Sequence, residues 1–225
     1  MQAKAKYTQE GMNMKQTKKP YLYIAASLLA AFVLWTAAIC TIDVQPIGPN
    51  GSSVGFATVN RFFHDLTGVH MSLYTITDWL GLVPVGFGFG FALLGLTQWI
   101  QRKHILKVDR SIWVLGIFYV LVLAVYLFFE EWVINYRPVL IAGFLEASYP
   151  SSTTMLVMCV MPTAMMQLHN RIQNQPLRSC IQGVIGLFIV FMVIGRLLSG
   201  VHWMSDIIGG ILLSSGLVTL YYAFT

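Results

Sequence analysis

The sequence predicts an all-helical integral membrane bundle of about six transmembrane helices. Of its 225 residues, 56% are hydrophobic and only 10% are charged, whereas soluble domains carry about 25% charged residues. The mean hydropathy of +0.68 agrees with this. Six apolar runs approach the roughly 20 residues that cross a bilayer. They are residues 21–42, 76–100, 111–129, 154–168, 180–198 and 207–224.

The first and fourth runs need separate justification. The first follows a basic, polar segment, residues 1–20, and is longer than the roughly 7 to 15 apolar residues of a secretory signal, which favours an uncleaved anchor. The fourth is the shortest and contains Pro162. We expect a kink there rather than a break, because neighbouring helices can satisfy the carbonyl that proline leaves free. Residues 21–225 are therefore predicted to form one membrane-embedded domain.

Two shorter segments carry weaker signals. Residues 54–66 mix apolar and polar side chains in a pattern that predicts an amphipathic helix on the outer membrane surface. Gly86, Gly88 and Gly90 resemble a phosphate loop superficially, but they lie within an apolar run. Close helix packing is the better interpretation of these glycines.

The basic residues predict the orientation of the chain. They cluster before the first run, after the second and after the fourth, so these segments and both termini are predicted to be cytoplasmic. Arg61, Arg137 and Arg196 then fall on the extracytoplasmic side of the membrane. With this distribution, the net charge of +5 does not indicate nucleic-acid binding. The cytoplasmic basic residues are Lys4, Lys6, Lys15, Lys18, Lys19, Arg102, Lys103, Lys107, Arg110, Arg171 and Arg178.

Three ionisable residues stand out in the apolar last quarter of the chain: Arg196, His202 and Asp206. Polar groups in such surroundings cost several kcal/mol and usually mark function. The spacing of His202 and Asp206 predicts that both project from one face of a helix, where the carboxylate can orient the imidazole as a nucleophile or base. A structural ion network is the alternative interpretation.

Two polar segments precede this cluster, residues 135–138 around Arg137 and residues 148–153. Together, the three segments within residues 130–206 resemble the motifs of the type 2 phosphatidic acid phosphatase family, the membrane branch of the vanadium haloperoxidase-related superfamily. The resemblance implies an acid-phosphatase/haloperoxidase-like helical core and a phosphohistidine intermediate, without a metal or other cofactor. It implies that His202 is the nucleophile, that Asp206 orients it, and that the phosphate is bound by Arg137, Arg196, Ser151 and Ser152.

Three positions depart from the family pattern. Glu130 replaces a lysine, Gly195 replaces a serine, and Thr153 replaces the histidine that protonates the leaving oxygen. General acid catalysis is worth about 10² to 10⁴ in rate, and a threonine hydroxyl is a very weak acid. A diphosphate substrate needs less of this help because its leaving group is less basic. Alternatively, a substitute donor protonates the leaving group, and the candidates are Thr153, His64, His70, Glu130 and Glu131.

The sequence thus predicts a membrane phosphatase that hydrolyses a lipid phosphate or isoprenoid diphosphate at the extracytoplasmic face. The alternative is a catalytically silent relative that binds, senses or moves phosphorylated lipids. Two local alternatives also remain: Ser151 and Ser152 as simple helix caps, and Asp78 either as a partner of an arginine or as an unpaired charge at a helix end. The apolar runs disfavour a soluble haloperoxidase.

Overall fold

The computed structural model describes residues 2–225, with side chains from Lys18 onward. The predicted basic segment, residues 1–20, therefore lies largely outside the residues whose side chains are described. Within the described chain, helices are joined by loops, two short 3₁₀ turns and isolated β-bridges, which confirms the predicted all-α class. The α-helices are α1 (Gln2–Thr41), α2 (Ala57–Thr67), α3 (Met71–Leu80), α4 (Leu82–Arg102), α5 (Arg110–Glu131), α6 (Ser152–His169), α7 (Gln175–Leu198) and α8 (Met204–Phe224).

Among the residues that the structure describes, five helical segments are long and apolar enough to cross a membrane, and the chain is an integral membrane protein. The second predicted run is divided into α3 and α4 at Gly81, whose N–H donates to the carbonyls of Thr77 and Asp78 at 3.0 Å. The five candidate spans are Lys18–Thr41, Met71–Arg102, Arg110–Glu131, Gln175–Leu198 and Met204–Phe224.

The remaining predicted span is α6, which forms a helix but is not among the five most apolar segments. Most of its side chains are buried against α4, α5, α7 and α8, so it presents little surface to lipid. As expected, α6 continues through Pro162. The hydroxyl of Thr163, the residue after the proline, donates to the carbonyl of Cys159 at 2.8 Å.

The helix at the centre of the bundle is α8. In its most apolar stretch 50% of the residues are buried, compared with at most 22% in the other candidate spans. Glycines allow this close packing, since a Cβ atom at Gly209 would lie 2.4 Å from the Tyr149 ring and one at Gly216 would lie 2.8 Å from Leu29. Small residues let membrane helices approach closely, and here they bring α1 and the loop before α6 against α8.

The prediction of close packing at the glycines of α4 was wrong. A Cβ atom at Gly86 or Gly90 would meet no atom within 4 Å, and one at Gly88 would meet only a Tyr119 ring carbon at 3.8 Å. These glycines do not draw a neighbouring backbone close. Gly88 lines an open seam between α4 and α5 instead.

Helix α2 occupies most of the segment predicted to be amphipathic, residues 54–66. Its buried Asn60 donates to the Ser205 hydroxyl at 2.9 Å and thereby joins α2 to the start of α8. Phe62 and Leu66 are exposed. This leaves an apolar face outward, as a helix lying on a membrane surface requires.

The polar residues separate to two ends of the bundle. We call the end with Arg137, Arg196 and His202 the site end. Helix directions place the clustered basic residues at the other end, because α1 begins there and α4 and α6 end there. Those with described side chains are Lys18, Lys19, Arg102, Lys103, Lys107, Arg110, Arg171 and Arg178.

Candidate active site

His202 lies in the short loop between α7 and α8, which is fixed by close backbone contacts. Gly200 has a φ of +68°, and a Cβ atom there would lie 2.0 Å from the carbonyl oxygen of Gly68. Only glycine fits this position. The loop is also held by the N–H of His70, which donates to the carbonyl of Ser199 at 2.9 Å. The backbone before His202 is therefore set by its contact with the α2–α3 connection.

The expectation that His202 and Asp206 share one helix face was wrong. Helix α8 begins at Met204 with Trp203 as its N-cap residue, so His202 precedes the helix. Asp206 is in the first turn, where its Oδ2 accepts a hydrogen bond from the N–H of Trp203 at 3.0 Å. A carboxylate there caps the helix and complements its dipole.

Ser148 connects the two residues. Its Oγ lies 3.0 Å from Nδ1 of His202 and donates to Oδ2 of Asp206 at 2.5 Å. Because the serine proton is directed to the carboxylate, the serine oxygen accepts from the imidazole, which places the histidine proton on Nδ1. The other nitrogen, Nε2, is then unprotonated, and its lone pair can accept a hydrogen bond or act as a nucleophile. Asp206 thus orients His202 through a hydroxyl rather than by direct contact.

Asp206 is fully buried and has further donors. Asn135 Nδ2 donates to its Oδ1 at 3.1 Å, and the Ser205 hydroxyl donates to the same oxygen at 3.4 Å. Asn135 and Ser148 lie within the predicted motif segments, but the sequence did not predict a role for either residue. The only signal in the sequence was an uncharged polar residue beside each motif. That signal did not indicate which carboxylate the side chains of Asn135 and Ser148 would contact.

Arg137 faces Nε2, the unprotonated nitrogen of His202. Its Nη1 lies 3.4 Å from Nε2. A β-bridge between Tyr136 and Ala147 and a hydrogen bond from the Arg137 N–H to the carbonyl of Glu146 at 3.0 Å hold the backbone. The guanidinium Nε also lies 3.0 Å from the Glu146 carboxylate, as an ion pair without a directed hydrogen bond.

Arg196 is almost completely buried and is held by α3 and α6. Its Nη2 donates to Thr153 Oγ1 at 2.5 Å and lies 3.4 Å from the Asp78 carboxylate. Its Nη1 is 3.4 Å from Thr77 Oγ1, and the guanidinium carbon is 4.9 Å from the centre of the Tyr74 ring. The pairing of Asp78 with an arginine is therefore confirmed.

The two arginines share one aromatic neighbour, and their acidic partners offset only part of their positive charge. The Tyr74 ring centre lies 6.0 Å from Arg137 and 4.9 Å from Arg196. Their acidic partners, Glu146 and Asp78, have side chains 42% and 57% exposed, whereas the arginine side chains are 9% and 2% exposed. Water screens the exposed carboxylates more than the buried cations. The site interior is consequently favourable for an anion.

Gly195, one of the departures from the family pattern, has a structural reason here. A Cβ atom at this position would lie 2.8 Å from Cγ2 of Thr77. The absence of a side chain lets α3 approach α7 closely. This approach brings Thr77 and Asp78 against Arg196.

The start of α6 faces this region. Ser151 is the N-cap residue, but its side chain makes no capping bond, and its buried Oγ has no hydrogen-bond partner among the described residues. The Ser151 N–H donates to the carbonyl of Asp206 at 3.1 Å. Side-chain capping by Ser151 is thus contradicted. Ser152 and Thr153 begin the helix, where free backbone N–H groups favour anions.

The predicted substitute donors are distributed unequally. Thr153 touches Arg196, and Glu130 lines a small recess together with Ser148 and Ser152. The other three make no hydrogen bond to the site. His64 packs against Trp203, Nε2 of His70 donates to the carbonyl of Thr67 at 2.8 Å, and Glu131 is exposed at the end of α5. The structure therefore brings Thr153 and Glu130 nearest to the phosphate-binding candidates.

We expect activity to persist in mild acid. Burial, followed by the positive charges of Arg137 and Arg196, lowers the pKa of His202 well below its ordinary value of 6.5. Only the neutral imidazole has a lone pair on Nε2, and a lowered pKa means that protonation needs stronger acid. The acid limb of kcat/KM, which reports the free enzyme, should therefore lie below pH 6.5. A midpoint at or above 6.5, after correction for the substrate's own titration, would contradict this assignment.

Comparison with known proteins agrees with this architecture. A family model described as the PAP2 superfamily matches residues 115–225. A solved structure with a similar fold is the first transmembrane PAP2 type phosphatidylglycerolphosphate phosphatase from Bacillus subtilis, with 20% identity and a TM-score of 0.58. The alignment covers 90% of this chain and 96% of that chain. Among curated protein sequences, none matches this chain.

The fold and the site place this chain among helical membrane proteins in which a histidine and two arginines meet at one end of the bundle. Within that class, the chain belongs to the PAP2 superfamily. The resemblance to the type 2 phosphatidic acid phosphatase family is thereby confirmed, and membership supports a phosphatase-type activity.

Proposed function

We propose that this protein hydrolyses a lipid phosphate or isoprenoid diphosphate through a phosphohistidine at His202. The observation that carries the proposal is the chain of contacts from Asp206 through Ser148 to His202, which leaves Nε2 unprotonated and directed toward Arg137. An oriented neutral imidazole is a competent nucleophile. The buried arginines, the free Ser151 hydroxyl and the start of α6 are suited to hold phosphoryl oxygens.

The reaction has two steps. In the first, the Nε2 lone pair attacks phosphorus, and the bond to the leaving oxygen breaks with its electron pair on that oxygen. In the second, water attacks the phosphohistidine, the phosphorus–nitrogen bond returns its electron pair to Nε2, and inorganic phosphate is released. Asp206 stabilises the positive charge that His202 acquires while phosphorylated, through the Ser148 hydroxyl.

Thr153 favours a diphosphate substrate. Its hydroxyl accepts a hydrogen bond from Arg196 at 2.5 Å and is too weak an acid to protonate a leaving alkoxide at neutral pH. Cleavage of the terminal phosphate of a diphosphate releases a monophosphate, whose oxygen is far less basic than an alkoxide. The same substitution supports the second candidate function, a catalytically silent relative that binds, senses or moves phosphorylated lipids.

A substrate panel separates these functions. Purified protein should release phosphate from a prenyl diphosphate faster than from the matching prenyl monophosphate, by about the 10² to 10⁴ that a general acid supplies. Equal rates on the two substrates would contradict the diphosphate preference. Release no faster than by the His202→Ala protein on every substrate would contradict an enzyme and favour the silent relative.

We also propose that the site lies at the extracytoplasmic face of the cell membrane, with both termini in the cytoplasm. The proposal is supported by the clustering of basic residues at the end of the bundle opposite the site. The orientation is tested by giving intact cells a short, membrane-impermeant diphosphate from the substrate panel. Hydrolysis by intact cells supports the orientation, and hydrolysis only after permeabilisation contradicts it.

A further inference from the structure

A groove with a volume of about 610 Å³ begins beside the site and runs down the membrane-facing surface between α4, α5 and α6. This volume is within the roughly 300–1,000 Å³ of ligand pockets. Ser152 and Thr153, the first residues of α6, form its mouth, and Thr153 contacts Arg196. We call this cavity the site groove. Its upper end is thus continuous with the proposed phosphate position.

The lining of the site groove changes from polar to apolar along its length. Beyond the mouth, the only polar atoms on its side chains are the hydroxyls of Tyr119 and Tyr126. The groove follows α6 from Ser152 to Val160, which at 1.5 Å per residue is about 12 Å. One leaflet of a bilayer has a hydrocarbon thickness of about 15 Å, half of the full core. The groove is therefore long enough to lie alongside a lipid chain through most of one leaflet.

Tyr119 forms the floor of the site groove. A second cavity of about 300 Å³ continues along the seam between α4 and α5, and Tyr119 and Gly88 line both cavities. The Tyr119 ring faces α4 at Gly88, where a Cβ atom would be 3.8 Å from a ring carbon. The phenol oxygen is 3.1 Å from the Thr163 hydroxyl, which fixes the ring across the seam.

We propose that the site groove binds one hydrocarbon chain of the phosphorylated lipid substrate and that Tyr119 limits the length of chain it accommodates. This inference rests on the proposed function, because the chain is placed by its covalent link to a phosphate at Arg196. Any membrane lipid can lie against an apolar groove. A phosphorylated lipid alone satisfies both the groove and the cationic mouth beside Thr153.

A matched pair of valines tests the groove. Both are exposed on the same helix, but Val85 lines the site groove, whereas Val83, two residues earlier, lines none of the described cavities. Val85→Trp should lower the ratio of kcat/KM for a long-chain to a short-chain prenyl diphosphate severalfold, because the indole ring fills the groove and removes the packing contacts of the longer chain. Val83→Trp should leave the ratio unchanged. Equal ratios in both variants would overturn the proposal.

Tyr119 gives an independent test. For wild-type protein, kcat/KM should rise with chain length and then level off where the chain reaches the floor. Tyr119→Ala should move this levelling point to longer chains by opening the second cavity, whereas Tyr119→Phe, which keeps the ring, should not. A levelling point that is the same in Tyr119→Ala as in wild type would contradict the role of Tyr119 as the floor.

Failure of the groove and failure of the proposed function give different results. Wild-type protein that hydrolyses both chain lengths, with a ratio insensitive to Val85→Trp, refutes the groove alone. Wild-type protein that hydrolyses neither chain length, nor any lipid phosphate of the substrate panel, refutes the proposed function. In that case, binding of a non-hydrolysable long-chain phosphonate decides the groove: weaker binding to Val85→Trp than to Val83→Trp supports it, and equal binding refutes it.

Discussion

Replacement of His202 by alanine is expected to lower phosphate release by at least about 10⁴-fold, because it removes the proposed nucleophile. The fold should tolerate the change better than most changes in the site. His202 lies in a loop, and its partners Ser148 and Arg137 retain other contacts, with Asp206 and Glu146 respectively. The measurement is phosphate release under single-turnover conditions, together with capture of the phosphorylated protein by acid-free quenching.

The matched control for this prediction is His169→Ala. His169 is exposed at the end of the bundle opposite the site, where its Nδ1 lies 3.1 Å from Gln182 Nε2. It should retain wild-type activity and phosphoenzyme formation. A His202→Ala protein that still forms a phosphoenzyme would show that another residue is the nucleophile. Retained hydrolysis without any phosphoenzyme would indicate direct attack by water.

Replacement of Thr153 by histidine is expected to raise hydrolysis of a lipid monophosphate by about 10² to 10⁴, because it supplies the missing general acid. The effect should be near the lower value. Thr153 is 2.5 Å from Arg196, and a neighbouring cation disfavours the protonated form of an imidazole. Hydrolysis of a diphosphate should change much less, since its leaving group needs little protonation. The measurement is the ratio of monophosphate to diphosphate kcat/KM.

Thr153→Asn is the control, because asparagine can hydrogen-bond to Arg196 but cannot act as an acid at neutral pH. It should leave the monophosphate rate low. An equal gain in both variants would attribute the effect to a change in Arg196 rather than to proton transfer. No gain with histidine would indicate that a donor is already present, and Glu130 is then the first residue to test, since it shares a recess with Ser148 and Ser152.

The fold was largely predictable because the signals that determine it are local in sequence. A membrane helix is visible as an apolar run, and five of the six runs correspond to helices that can span a bilayer. The exception, α6, is less apolar because its neighbours rather than lipid surround it. The glycines of α4 led to a wrong prediction of close helix packing, because small residues suit both close packing and an open groove. A single sequence does not distinguish these two uses.

The site was predictable only in part, because its most important contacts join distant segments. The spacing of His202 and Asp206 drew attention to both residues, but their link is Ser148, which is 54 residues before the histidine. Asn135 is 71 residues before the carboxylate that it contacts. Nothing in the local pattern around either polar residue specifies such a partner. The same holds for Asp78, whose pairing with Arg196 depends on how α3 packs against α7.

The position of Asp206 means that one carboxylate serves two purposes. It caps α8, the most buried helix of the bundle, and it anchors the hydroxyl that orients His202. The imidazole is consequently aligned only in chains whose central helix has begun correctly. Folding of the bundle and alignment of the proposed nucleophile are thereby coupled, so under the proposed mechanism a half-assembled molecule would be inert toward its phosphorylated substrate.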